Sequence, residues 1–318
     1  MNKKILMSIL GILIVVVVFV FVSKSNPTAP PVKISQSKTV FCGTDGSITT
    51  TRSIQSHRSY CMSSDVNSKN FAVNVPSVYT FSIIDDEGNI MNDFAITHTK
   101  PMHVIVARKD LKYFQHVHPM YEAASGKFSF TDLTLPADGE YRIFADFAAN
   151  GGMKGPNGLP LPITISEDVI AGNANYTKEA LGGEERTKSF SGLKTTLISK
   201  PLLPLTGSEA MLTYALADAS NTPVKDLETY LGALGHAVVL REGTLDFIHA
   251  HPTEDPTKPQ NGKVNFMVYF PEAGKYKVFT QFQRAGKVIT TDFVVTVAEG
   301  AAVKDDNTTP EQGGAMMH

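Results

Sequence analysis

The chain repeats itself, and the repeat fixes most of what it can fold into. The stretch HVIVARKDLKYFQHVHP at residues 103–119 returns as HAVVLREGTLDFIHAHP at 236–252, each histidine displaced by 133 positions (103 to 236). Of the 17 aligned positions 7 are identical, and these include all three histidines and the closing proline. The likeness continues downstream, where GKFSFTDLTLPADGEYRIFADF parallels GKVNFMVYFPEAGKYKVFTQF. Upstream, VYTFSIIDDEGNIMNDF and AMLTYALADASNTPVKDL each read as a strand followed by a turn signal. Short alternating runs punctuated by turn residues every 8 to 12 positions predict β-sandwiches. A repeat this long means tandem domains rather than a solenoid, whose period is about 20–50 residues.

The segments DGEYRI and AGKYKV read as strand F of an immunoglobulin-like (Ig-like) sandwich, with Tyr141 and Tyr276 in the corner position. Ile143 and Val278 stand where an immunoglobulin domain carries its second cysteine, so neither copy has the inter-sheet disulfide. The other reading of the tyrosines is as ordinary strand residues of a different all-β fold. The expected architecture is all-β, two tandem Ig-like β-sandwich domains after an N-terminal transmembrane helix. The expected boundaries are 1–24 for the membrane segment, 25–40 for a Pro-rich spacer and 41–70 for a cysteine-containing segment. Domain 1 then spans 71–170, a polar linker 171–187, domain 2 188–298 and a disordered tail 299–318.

From Ile5 to Val22 the chain carries 18 residues without a charge, preceded by Lys3 and Lys4. That length approaches a membrane span, and the lysines hold the N-terminus in the cytoplasm and export the rest. An uncleaved anchor and a cleaved signal peptide both fit. The first makes a single-pass cell-membrane protein with its bulk extracytoplasmic, the second a secreted one. Cys42 and Cys61 are the only cysteines. In an exported chain such a pair forms a disulfide, with free thiols as the alternative. A formal net charge of −2 gives no basic field for nucleic acid.

Each histidine stretch reads as a β-hairpin. A two-residue turn at Lys109-Asp110 sets His103 opposite His116, with His118 diagonal. A turn at Glu242-Gly243 does the same for His236, His249 and His251. Side chains alternate along a strand, so His103, Ile105, Phe114, His116 and His118 share one face. Three imidazoles gathered on a rigid hairpin, twice, suit a transition metal ion, with copper and zinc both candidates. The competing reading is a hydrogen-bonded cluster that braces the hairpin. His57 and His98 lack counterparts in the second copy and read as surface residues. Met102 aligns with Gly235, Met120 with Thr253 and Asp146 with Gln281, so none of these reads as a shared ligand. The terminal Met316, Met317 and His318 offer soft copper donors or, more simply, a disordered end. No general acid or base recurs beside both histidine sets, so an enzyme is not expected, and a water-activating metalloenzyme is the lesser alternative.

THTKPMHVIVARKDLKYFQHVHP and YLGALGHAVVLREGTLDFIHAHP resemble a group of exported bacterial Ig-like proteins with HxHP hairpins, similar to the YtkA-like and heavy-metal-binding classes. The resemblance covers roughly 90–298. It implies copper or other heavy-metal handling at the cell envelope, as sequestration, sensing or delivery. A metal transporter or another envelope protein would then be the partner. A non-catalytic adhesion or assembly module is the alternative.

Overall fold

The computed structural model describes residues 60–65, 69–85, 87–155, 158–258 and 260–300. The expected membrane segment, the Pro-rich spacer, Cys42, His57 and the tail beyond 300 lie outside these residues. All regular structure among the described residues is β-strand.

The first domain is built from β1 (Tyr60–Ser64), β2 (Asn70–Phe71), β3 (Ser77–Asp85), β4 (His103–Arg108) and β5 (Phe114–Val117). It is completed by β6 (Met120–Glu122), β7 (Lys127–Leu133), β8 (Gly139–Ala148) and β9 (Pro162–Ala171). One sheet runs β1-β3-β7-β6 and the other β2-β9-β8-β4-β5. The second domain contains β10 (Thr187–Phe190), β11 (Leu193–Lys200), β12 (Glu209–Ala217), β13 (His236–Arg241) and β14 (Phe247–Ala250). Then follow β15 (Lys263–Tyr269), β16 (Gly274–Arg284) and β17 (Lys287–Val297). Its sheets are β10-β11-β12-β15 and β14-β13-β16-β17. Two sandwiches, each with its own core, are what the repeat predicts. The first core centres on Tyr79, Phe81, Phe128 and Phe147, the second on Tyr214, Phe266, Phe282 and Phe293.

Both tyrosine corners form. The Tyr141 hydroxyl donates to the Ala137 carbonyl at 2.9 Å and the Tyr276 hydroxyl to that of Glu272 at 2.7 Å. Each bond ties the start of its strand F to the preceding loop. The first domain begins earlier than residue 71, because Tyr60–Ser64 pairs antiparallel with β3 from Asp85 to Phe81. Cys61 on that strand is disulfide-bonded.

The first strand of each hairpin is buried on both faces. Along β4, Val104 and Val106 enter the core of domain 1, while Ile105 and Ala107 face the other way into a third apolar cluster. Along β13, Ala237 and Val239 enter the core of domain 2, and Val238 and Leu240 join that same third cluster. The cluster is a seam between the domains, closed by Phe144 of β8 and Phe279 of β16. Burial of a phenylalanine side chain contributes about 1.5–3 kcal/mol, so these two alone favour docking of the sheets.

The seam is reciprocal. Phe114 of the first hairpin stacks on Phe279, with centroids 4.2 Å apart, and its counterpart Phe247 packs on Phe144 at 5.1 Å. Lys277 donates to the Leu111 carbonyl at 3.0 Å, and Arg142 donates to the Thr244 carbonyl at 3.3 Å. Each of these contacts from domain 1 to domain 2 has a mirror running back, as across a two-fold axis.

Candidate metal centre

The hairpins differ from expectation in register. Ile105 pairs with His116 and Ala107 with Phe114, and Val238 pairs with His249 and Leu240 with Phe247. Continued by one pair, this register sets His103 level with His118 and His236 level with His251, not with His116 and His249. The cause is a longer loop. In the first hairpin four residues, 109–112, separate the closing bond from Arg108 N–H to the Tyr113 carbonyl. Leu111 takes φ +61° and drops into the seam. The Asp110 carboxylate, held by Arg108 at 2.8 and 2.7 Å, accepts the Lys112 N–H and fixes the loop. In the second hairpin Gly243 and Leu245 take positive φ, and Leu245 is buried in the seam in the same way. Because each slip is an even number of residues, the shared face survives, and three histidines still point to one side.

The HxHP ending has a structural meaning. β5 ends at Val117 in one sheet, and β6 starts at Met120 in the other. Proline has no N–H to continue the ladder, so Pro119 marks the crossing between sheets. Pro252 does the same, bridging to Phe266 of β15. The last histidine of each set therefore sits at the mouth between two sheets.

In the first set the hydrogen-bond partners assign the tautomers of His103 and His116. His103 Nε2 lies 3.1 Å from the Thr97 carbonyl and must donate to it. That leaves Nδ1 as a bare lone pair. His116 Nδ1 lies 2.8 Å from Gln281 Oε1, and Gln281 spends its amide N–H on Thr290 at 3.2 Å. His116 Nδ1 therefore carries the proton and Nε2 is bare. These two bare nitrogens face each other at 3.1 Å, and His118 Nε2 approaches the same His103 atom at 3.2 Å. The His118 nitrogen can donate to His103, but the two bare nitrogens of His103 and His116 repel unless a cation stands between them. Tetrahedral nitrogens about 2.0–2.1 Å from a metal lie roughly 3.3 Å apart, close to what is seen. His103, His116 and His118 together can hold a metal ion.

The second set is built the same way with one exchange. His236 Nε2 points at the Leu231 carbonyl across a long 3.4 Å, and its Nδ1 faces His249 Nε2 at 3.5 Å. His249 Nδ1 donates to Asp146 Oδ2 at 2.7 Å, and Thr164 holds the other carboxylate oxygen at 2.8 Å. The triad whose donors can hold a metal here is His98, His236 and His251. His251 Nε2 is buried and has no hydrogen-bond partner among the described residues. Its ring stacks on that of His98, with centroids 3.7 Å apart.

His98 is therefore not an isolated surface residue. It comes from domain 1 and completes the set of domain 2. It sits with Thr99 in a tight turn closed by reciprocal 3.0 Å bonds between Thr97 and Lys100, at φ +50° and +69°. Domain 2 builds the same turn from Leu231 and Gly232. The two turns meet, since a Cβ on Gly232 would stand 3.7 Å from Thr99 Cγ2. Asp146 and Gln281 likewise have a role that no ligand comparison reveals. Each orients the middle histidine of the other domain.

Met102 is buried in the core of domain 1, and Met120 is exposed. Neither joins the centre. Seven of the nine histidines do, and the other two, His57 and His318, lie outside the described residues.

Burial keeps these rings neutral. Desolvation pulls His98 and His118 down to about 4 and His236 to about 3, and it also lowers His103, His116 and His251. Neighbouring imidazoles add to the effect, because charging one disfavours charging the next. Around neutral pH these six rings are uncharged, each with one N–H and one nitrogen lone pair.

A family model, described as a domain of unknown function, DUF8832, matches residues 61–155 and 188–299. The chain belongs to the DUF8832 family. The first matched stretch covers the first sandwich as far as β8 and stops before β9, the second covers the second sandwich, and the centre lies where the two stretches meet. No curated protein matches the chain. Among solved structures, the Escherichia coli adhesin FdeC is similar at 14% identity, over 75% of this chain and 64% of that one, with TM-score 0.23. A Salmonella alpha-2-macroglobulin is similar at 12% identity, over 86% and 16%, with TM-score 0.25. Domains 4 and 5 of the surface-layer protein SbsC are similar at 11% identity, over 76% and 98%, with TM-score 0.21. The chain thus spans less than two thirds of the adhesin and of the macroglobulin.

Proposed function

We propose that this DUF8832 protein binds a transition metal, copper in preference to zinc, for sequestration, sensing or delivery outside the cytoplasm. The observation that carries the reading is the facing of bare imidazole nitrogens at 3.1 Å in a buried, neutral cluster. Such an arrangement gains energy when a cation enters. The ligands are His103, His116 and His118 in one set and His236, His251 and His98 in the other, with His249 beside the second. Copper is favoured because the donors are all imidazole, which suits copper and zinc, and copper stands highest in general affinity. The resemblance of the hairpins to heavy-metal-handling envelope proteins points the same way. Residues 5–22 and the Cys42–Cys61 pair fit an extracytoplasmic, membrane-tethered location. A metal transporter or another envelope protein is the partner this reading calls for.

A structural module is the second reading. The bonds from His103 to Thr97 and from His116 to Gln281 brace loops and seam without any metal. Isothermal titration of the full chain with Cu(II) and Zn(II) separates the two. The comparison is a variant carrying His116→Ala, His118→Ala, His249→Ala and His251→Ala. Binding at least a hundredfold tighter in the unaltered chain supports the metal reading. Equal binding by both, with a lowered melting temperature of the variant in metal-free buffer, supports the structural one.

A further inference from the structure

We infer that the two triads form one dinuclear centre, shared across the seam, and that neither domain can assemble it alone. This rests on the metal-binding reading and adds nuclearity and inter-domain dependence to it.

Three observations point to it. First, the triads are adjacent. His103 and His236, which occupy equivalent places in the two copies, lie nearly parallel with ring centroids 6.3 Å apart. His103 and His249 are 5.9 Å apart, and His98 lies 5.9 Å from His103 and 5.2 Å from His236. Two ions held by these rings would be near neighbours, with imidazoles of both sets between them.

Second, one set is completed across the seam. Domain 1 lends His98 to the set of domain 2, from a turn whose non-glycine residues are held at positive φ. Two adjacent left-handed non-glycine residues are strained, and such strain persists where the surroundings hold it. Domain 2 uses Leu231 and Gly232 in the same turn, so the turn itself does not require a histidine.

Third, each middle histidine is aimed by the opposite domain, His116 by Gln281 and His249 by Asp146. His116 is a ligand of the first triad, so the Gln281 bond to its non-ligating nitrogen orients a donor, and losing such a bond typically costs 10–100-fold in affinity, whereas Asp146 fixes His249 beside the second triad. The two supports are not equal. Gln281 accepts through an amide oxygen and Asp146 through a carboxylate oxygen.

The test is Cu(II) titration of the full chain, followed by metal analysis and electron paramagnetic resonance. The expected result is two copper ions per chain with a spin-coupled spectrum at saturation. His98→Leu installs the residue that the matching turn already carries. It should lose one ion and the coupling, while the other ion keeps its affinity within a few-fold. Two ions with independent, uncoupled spectra would overturn the dinuclear inference and leave metal binding intact. One ion per unaltered chain would also overturn it. No bound copper would overturn the metal-binding reading itself. If His98→Leu binds two coupled ions like the unaltered chain, the lending of His98 across the seam is wrong.

Discussion

Truncating Phe279 to alanine should separate the domains without unfolding either one. Phe279 is 3% exposed and lies against Phe114 with the two rings inclined by 8°. It belongs to the seam and to neither sandwich core. Truncation of a buried phenylalanine costs about 3–5 kcal/mol. Phe114 is only partly buried and can settle into the gap, so the lower figure, about 3 kcal/mol, is expected here. That loss falls on the coupling between domains. Scanning calorimetry of the metal-free full chain should show one joint transition before the change and two after it. Phe282→Ala is the control, because Phe282 is fully buried in the core of domain 2. It should lower the domain 2 transition directly. The reasoning is refuted if Phe279→Ala leaves a single transition within about 1 kcal/mol of the original, or if it acts like Phe282→Ala.

Gln281→Leu strands the His116 Nδ1–H, bonded at 2.8 Å, and should weaken the first site 10–100-fold in a copper titration while the second changes little. Tyr141→Phe removes the corner bond to Ala137 and should cost about 1 kcal/mol in urea unfolding, with Tyr276→Phe matching it in the other domain. Acid should destabilise the metal-free protein earlier than a typical sandwich. The folded pKa of about 4 for His98 and His118 lies below the ordinary 6.5, so the unfolded chain takes up protons first. Stability present above pH 6.5 is lost as pH falls from 6.5 through 4, and urea midpoints measured across that range check it.

Much of this was legible because a repeat carries its own comparison. The tandem sandwiches, the tyrosine corners at Tyr141 and Tyr276, and the shared face of each histidine trio follow from alternation and turn chemistry. The register did not, since loop length depended on Leu111 and Leu245 being drawn into a seam that no local pattern announces. The seam did leave a trace. HVIVAR and HAVVLR are apolar on both faces, and Phe144 and Phe279 sit on the side of strand F that a lone sandwich would show to water. A second buried face requires a partner sheet, and the other repeat is that sheet. Within the repeat His98 has no counterpart and Asp146 aligns with Gln281, so neither reads as a shared ligand. That comparison assumes each domain completes its own site. Across the seam domain 1 supplies His98 and Asp146 to the second set and domain 2 supplies Gln281 to the first, so unlike residues at matching positions meet in one centre.

Anomalous diffraction from crystals loaded with zinc tests the central claim most directly. The account predicts ordered metal about 2.0–2.1 Å from His103 Nδ1, His116 Nε2 and His118 Nε2, with a second ion at His98, His236 and His251. Anomalous density only at other places on the chain, with the seven-histidine cluster unchanged and metal-free, would contradict it.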